Sequence, residues 1–129
     1  MGWFSSKEEN KKVVIPNVSW KNLSNLKQLD EVLENRSGEK HLLFKHSTRC
    51  GVSAMVKKQF ENEWPAEQKE IVVWYLDLLN HRDISNAIAE KTGVFHQSPQ
   101  AIAVINGEVV YDASHSQISA RSIIKSFKK

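Results

Sequence analysis

Cys50 is the only cysteine among the 129 residues of the chain, and its surroundings make it a candidate nucleophile. Ser47, Thr48, Arg49 and Gly51 are polar or small, poor company for a thiol that serves as a small core hydrophobe, the common use of a free cysteine. An apolar run, His41-Leu42-Leu43-Phe44-Lys45-His46, leads toward the cysteine. Beyond it Val52, Met55, Val56, Phe60 and Trp64 recur at helical spacing. A thiol at such a helix start faces unpaired backbone N–H groups and the positive end of the helix dipole. Both favour the thiolate, which is the nucleophile. Arg49 adds a positive charge that acts in the same direction. Ser53, three residues on and in the first turn, is placed to donate its hydroxyl to the sulfur, and Gly51 leaves the backbone beside it open to a reactant.

One thiol cannot close an internal disulfide, and an unpaired thiol suits a reducing compartment. The first residues carry no apolar run long enough for a secretory signal. No stretch approaches the roughly 20 apolar residues of a membrane span. These readings place the chain in the cytoplasm with no membrane partner. The formal net charge of +3 is spread over scattered lysines, which would give weak nucleic-acid binding at best, so no nucleic-acid partner is expected. His41, His46, His81, His96 and His115 show no metal-ligand spacing, and no metal is expected. His46 and His96 flank the cysteine loop and a later proline loop, where an imidazole could tune the thiol or shuttle a proton.

Holding Cys50 in place falls to a chain with 40% apolar and 26% charged residues, the balance of a soluble globular domain. Residues 1–12 read as a flexible polar tail and 13–129 as one domain. Val13-Val14-Ile15, closed by Pro16, reads as a first edge strand. Leu23, Leu26, Leu29 and Leu33 predict a helix over 24–36, capped by Ser24 and ended by Ser37-Gly38. The strand at 41–46 and the helix after Cys50 follow, the helix stopped by Pro65. Ile71 to Leu76 is rich in β-branched and aromatic residues and reads as a strand. Ile84, Ala87 and Ile88 mark a helix that Gly93 terminates. Ala101–Ile105 and Val109–Tyr111 flank Asn106-Gly107, a hairpin signal. Ala120, Ile123, Ile124 and Phe127 mark a last helix. Trp64, Trp74 and Tyr75 read as core, and Trp20 carries no assignment. Strands and helices in this order predict an α/β fold with a central mixed β-sheet flanked by helices.

Leu42 to Phe60 resembles the active-site strand, loop and helix of the thioredoxin superfamily. Cys50-Gly51-Val52-Ser53 is similar to its Cys-x-x-Cys motif with serine in place of the second cysteine. Gly93-Val94-Phe95-His96-Gln97-Ser98-Pro99, followed by the hairpin, resembles that superfamily's helix end, cis-proline loop and terminal strands. The resemblance implies a thioredoxin-like fold, with a cis Ser98–Pro99 bond beside Cys50 and the Ser98 backbone offered to an extended peptide. Phe44 stands six positions before Cys50, where thioredoxins carry a buried acid. Together with Ser53 it argues against a dithiol reductase. With no second thiol, release of a bound substrate needs an outside thiol.

Cys-Gly-Val-Ser is also similar to the Cys-Gly-Phe-Ser of monothiol glutaredoxins, which carry an iron–sulfur cluster with glutathione. Those proteins have Thr-Val-Pro at the proline loop and a Gly-Gly plus acidic pair after the hairpin. Gln97-Ser98-Pro99 and Asp112-Ala113-Ser114-His115 stand here instead, so their glutathione site is not written in this chain. The chain more closely resembles the YtxJ-type monothiol bacilliredoxin family of Gram-positive bacteria. The resemblance lies in length, in Ser47-Thr48-Arg49-Cys50-Gly51-Val52-Ser53-Ala54, in Glu63-Trp64-Pro65 and in His96-Gln97-Ser98-Pro99-Gln100. It implies a thiol–disulfide oxidoreductase that removes bacillithiol from protein mixed disulfides. Cys50 would be catalytic, Arg49, Ser53 and Gly51 would tune the thiolate, and Ser98 and Pro99 would form the docking loop. S-thiolated cytoplasmic proteins and a low-molecular-weight thiol are the implied partners, with bacillithiol as co-substrate and no cofactor. The rival expectations are a non-catalytic thioredoxin-like binding module and an iron–sulfur carrier.

Overall fold

A computed structural model describes residues 17–128. The polar tail at 1–12 and the strand expected at 13–15 lie outside the described residues. The run before Cys50 becomes β2 (Lys40–His46), the middle strand of a five-stranded sheet. It pairs parallel with β3 (Ile71–Asp77) and antiparallel with β4 (Gln100–Ile105). With neighbours on both edges, six of its seven residues are buried. The turn after β4 leads into β5 (Glu108–Ser114), and β1 (Trp20–Asn22) lies parallel to β3 at the opposite edge, giving the order β1-β3-β2-β4-β5.

Side chains alternate across β2, so its two faces feed two cores. Leu42 and Phe44 pack toward α2 (Gly51–Glu63) and α4 (Ala120–Ser126), meeting Val56, Phe60 and Ile123. Leu43 packs toward α1 (Leu26–Glu34) and α3 (Arg82–Thr92), meeting Leu29, Val32, Ile84 and Ile88. Each Leu, Ile or Phe so buried contributes about 1.5–3 kcal/mol relative to exposure. This is the α/β architecture expected from the element order, a central mixed sheet flanked by helices.

Local chemistry fixes the ends. The cap of α1 is Asn25 rather than Ser24. Asn25 Oδ1 accepts from Gln28 N–H at 2.9 Å while Gln28 Oε1 accepts from Asn25 N–H at 3.3 Å, a reciprocal capping box. Gly93 closes α3 at φ +75°, its N–H bonded to Ala89 C=O. Asn106 (φ +52°) and Gly107 (φ +77°) both take the left-handed values that a two-residue hairpin turn needs. Gly107 has a second reason, since a Cβ there would lie 2.6 Å from Leu33 O and Arg36 Nη1.

Among the described residues the first strand is β1, and Trp20 gains a role that its sequence context did not reveal. Its ring packs on Phe44, Phe60 and Tyr75 at centroid distances of 5.4, 5.8 and 5.8 Å, and its Nε1–H donates to Glu61 Oε2 at 2.6 Å.

Candidate active site at the end of the central strand

Cys50 is the N-cap of α2, with extended backbone (φ −106°, ψ 118°), and is half-buried. A tight turn delivers it there from β2, the Cys50 N–H donating to Ser47 C=O at 3.2 Å. Its own C=O takes the first intrahelical bond, from Ala54 N–H at 3.1 Å. The N–H groups of Gly51, Val52 and Ser53 come before that bond and have no helical acceptor. Helix α2 runs 13 residues without an acid in its first turn, so nothing there offsets the positive end of its dipole. Arg49 is exposed beside the cysteine and enters no ion pair among the described residues. Gly51 is exposed too, and a Cβ on it would meet nothing within 4 Å.

Ser53 stands differently from the sequence expectation. Its side chain is fully buried, and its Oγ lies 2.8 Å from His46 Nδ1 while accepting from Ser47 N–H at 3.2 Å. No hydrogen bond joins it to the Cys50 sulfur. The reason is the alternation along β2: His46 lies on the same face as Phe44, under the first turn of α2, where Ser53 points. Burial pushes the His46 imidazole below the ordinary histidine value of 6.5. Lys57 acts the same way, against the opposing pull of Asp77 and Glu61. Its ring also packs on Tyr75 at 5.7 Å.

The second loop leaves the sheet at the same end. Lys45 pairs with Gln100, so the next residue on each side, His46 and Pro99, continue the register toward the cysteine loop. The Ser98–Pro99 bond is cis. Buried Gln100 ties the loop down, its Nε2–H donating to Phe95 C=O at 2.8 Å and its Oε1 accepting from Gln97 N–H at 3.4 Å. Pro99 C=O accepts from His115 N–H at 2.9 Å. Ser98 is half-buried, and its Oγ is enclosed without a hydrogen-bond partner.

Two features of this end were missed from the sequence. Lys45, counted within an apolar run, is wholly buried on the α3 face. Its Nζ donates to Ser85 C=O at 3.3 Å and approaches His96 Nδ1 at 3.3 Å, where Ser85 Oγ also lies 3.3 Å away. Burial alone pushes Lys45 down from 10.5 to about 8. His96 is held below the usual histidine value by burial, then by Lys45 and Arg82. A lysine inside a strand with neighbours on both edges and helices on both faces was the available signal. The second correction concerns Val52 and Met55, counted with the buried stripe of α2 but 53% and 66% exposed. Phe95, at 89%, adds a third large apolar side chain in water, and it stands in the proline loop.

Among the described residues no group of three or more His, Cys, Asp or Glu is arranged to hold a metal ion, and no helix is long and apolar enough to cross a membrane.

Comparison with known proteins agrees with this geometry. Residues 21–123 match a family model described as monothiol bacilliredoxin BrxC. A solved structure provisionally described as an oxidoreductase with a thioredoxin fold is 34% identical, with a TM-score of 0.71, over 83% of this chain and 92% of the other. A mutant thioredoxin from Halobacterium salinarum is 18% identical at a TM-score of 0.65, over 92% of this chain and 97% of the other. The thioredoxin of Schistosoma mansoni is 20% identical at 0.61, over 88% and 96%. At such identities the two thioredoxins show likeness of fold alone.

Proposed function

The chain belongs to the monothiol bacilliredoxin BrxC family of thioredoxin-fold thiol oxidoreductases, and from that premise we propose that Cys50 removes a low-molecular-weight thiol from protein mixed disulfides in the cytoplasm. The observation that carries this reading is a half-exposed cysteine at a helix N-cap with serine, not a second thiol, in the next turn. The Cys50 thiolate attacks the small-thiol sulfur of the mixed disulfide. A new disulfide forms between Cys50 and the small thiol. The electron pair of the broken bond leaves on the protein sulfur, which takes a proton as the restored thiol. With no second cysteine in the chain, the adduct persists until another small-thiol molecule attacks it, forming the small-thiol disulfide and freeing Cys50.

Arg49 and the open N–H groups at the start of α2 favour the anionic sulfur, and Gly51 leaves the approach clear. Ser98 offers its backbone to the substrate chain as an extended peptide would require. The family resemblance supports bacillithiol as the small thiol and co-substrate. The test is intact-mass measurement on a protein capped with bacillithiol or with glutathione. The wild type clears the bacillithiol cap faster and accumulates its mass on Cys50, and Cys50→Ser clears neither. Equal rates would remove the bacillithiol assignment and leave monothiol exchange standing. An active Cys50→Ser variant would overturn the mechanism.

A further inference from the structure

We propose that His46 takes up the Cys50 proton through the Ser53 hydroxyl, so that thiolate and imidazolium form together. The inference rests on Cys50 being the nucleophile of the preceding reading. Phe44 leaves the α2 face of β2 without a carboxylate six residues before the cysteine. Two residues further along the same face, His46 supplies a titratable group in contact with the first turn of α2. Ser53 is three residues after Cys50, on the same side of that turn. It is the link between them.

Hydrogen-bond capacity decides how the link works. A serine hydroxyl has one proton to donate and two lone pairs to accept with. With His46 as the Nε2–H tautomer, the hydroxyl proton goes to Nδ1 at 2.8 Å and one lone pair takes Ser47 N–H; the other has no partner in the structure, and the relay assigns it to the Cys50 S–H. When the thiol ionises, its proton moves to Ser53 Oγ as the hydroxyl proton moves to Nδ1. Ser53 then donates to the sulfur anion and accepts from Nδ1–H and Ser47 N–H. Every position is filled in the product state, and no electron is transferred. The donation from Ser53 to sulfur, expected from the sequence and not seen at rest, belongs to this second state.

Burial and Lys57 keep the resting imidazole neutral, while Asp77 and Glu61 pull toward the imidazolium that the transfer forms. Tyr75 and Asp77 face it from β3, and Lys57 and Glu61 from α2. Lys57 and Glu61 pair with each other at 2.9 Å. Asp77, which sits opposite His46 in the parallel register, keeps one enclosed carboxylate oxygen without a partner. That oxygen favours an imidazolium beside it. His46 acts on Cys50 by way of Ser53 rather than by contact of its own, so it is a positioning residue.

Alkylation of Cys50 by iodoacetamide against pH tests the proposal without any disulfide substrate. In the wild type the rate rises in the range where histidines titrate, because the two protons leave a coupled pair. His46→Asn keeps an acceptor for Ser53 but cannot take a proton, and Ser53→Ala cuts the link. Each should lose the histidine limb and slow alkylation at neutral pH by about tenfold or more. The double variant should be no slower than either, since the two act in series. In 15N-histidine spectra of the wild type, blocking Cys50 should reduce the His46 titration to a single step, a readout that needs no variant. An unchanged limb in Ser53→Ala, losses that multiply in the double variant, or a His46 titration indifferent to blocking Cys50 would each overturn the relay. Loss of mixed-disulfide clearance alongside an intact limb would instead refute the exchange reading and spare the relay.

Discussion

Two buried polar clusters stand back to back at the end of β2, one on each face of the sheet. Toward α2, His46 and Ser53 form a neutral pair in which the imidazole nitrogen, the hydroxyl and the Ser47 N–H are all satisfied. Toward α3, Lys45 brings an ammonium into the core with a backbone carbonyl and a histidine nitrogen for company, and no carboxylate. The first cluster costs little to bury and lies against the nucleophile's own helix. The second is expensive to bury, and through His96 it reaches the loop that carries Pro99. Their difference teaches that the end of this strand is not built for stability alone: one face keeps a titratable imidazole under the helix that Cys50 caps, the other keeps a charge beneath the cis-proline loop.

Replacing the charge should have the largest stabilising effect. A value lowered from 10.5 to about 8 means the folded state disfavours the charged lysine. The penalty is fully present below about pH 8, where both folded and unfolded chains bind the proton. It is relieved as pH rises toward 10.5, where only the unfolded chain still binds it. Lys45→Met removes that penalty at similar volume and should raise stability at pH 7 by about 1–3 kcal/mol, the upper end being the free-energy equivalent of the shift. Urea titrations across pH should show the variant's advantage shrinking between pH 8 and 10.5. An advantage independent of pH would mean that Lys45 is accommodated without strain on its charge, and the contrast between the faces would fail.

The two serines sharpen the same contrast. Ser53→Ala strands a buried imidazole nitrogen and an amide N–H, and should cost about 1–3 kcal/mol in the same titration. Ser85→Ala removes a contact of 3.3 Å to a ring that is otherwise exposed. Water can replace it, so the cost should stay within about 0.5 kcal/mol. Equal costs would erase the distinction. Smallest of all on stability are Met55→Ser and Phe95→Ser, each within about 0.5 kcal/mol because both side chains are already in water. Their effect should instead be slower clearance of a capped protein, with iodoacetamide alkylation of Cys50 unchanged. A matching fall in both rates would place these residues in the chemistry rather than in protein contact.

Much of this was legible in the sequence because it rests on period and punctuation. The apolar run at 41–46, the β-branched run at 71–76, Gly93, Pro65 and Asn106-Gly107 all act locally, and each forms the element that its residues predict. The junction that makes Cys50 an N-cap could be read for the same reason. What escaped is tertiary. Strand β1 is three residues with one apolar side chain, too short to show a period, and it exists because β3 offers an edge. Val52 and Met55 fit the helical stripe, but the buried face of α2 runs through Ser53, Val56 and Phe60, one position further round the helix, which leaves both side chains in water. Spacing put Ser53 in the first turn of the helix after Cys50, and it is there, but its hydroxyl was expected on the sulfur. Its choice of His46 depended on a strand face that no local pattern reveals.

The pairing of β2 also sets when the nucleophile comes into being. The β4–β5 hairpin closes across two residues, but Lys40 must find Ile71 and then Ile105. Contacts so distant in the chain form late, because the entropy of closing long loops is lost before they repay it. On the ribosome, Cys50 emerges about fifty residues ahead of the strand that completes its sheet, and synthesis at roughly 5–20 residues per second leaves an interval of seconds. Through that interval the thiol sits on an unfolded chain, without the N–H groups of a formed helix beside it. The folded setting of Cys50 therefore appears only once β4 has been made, about fifty residues after the cysteine itself.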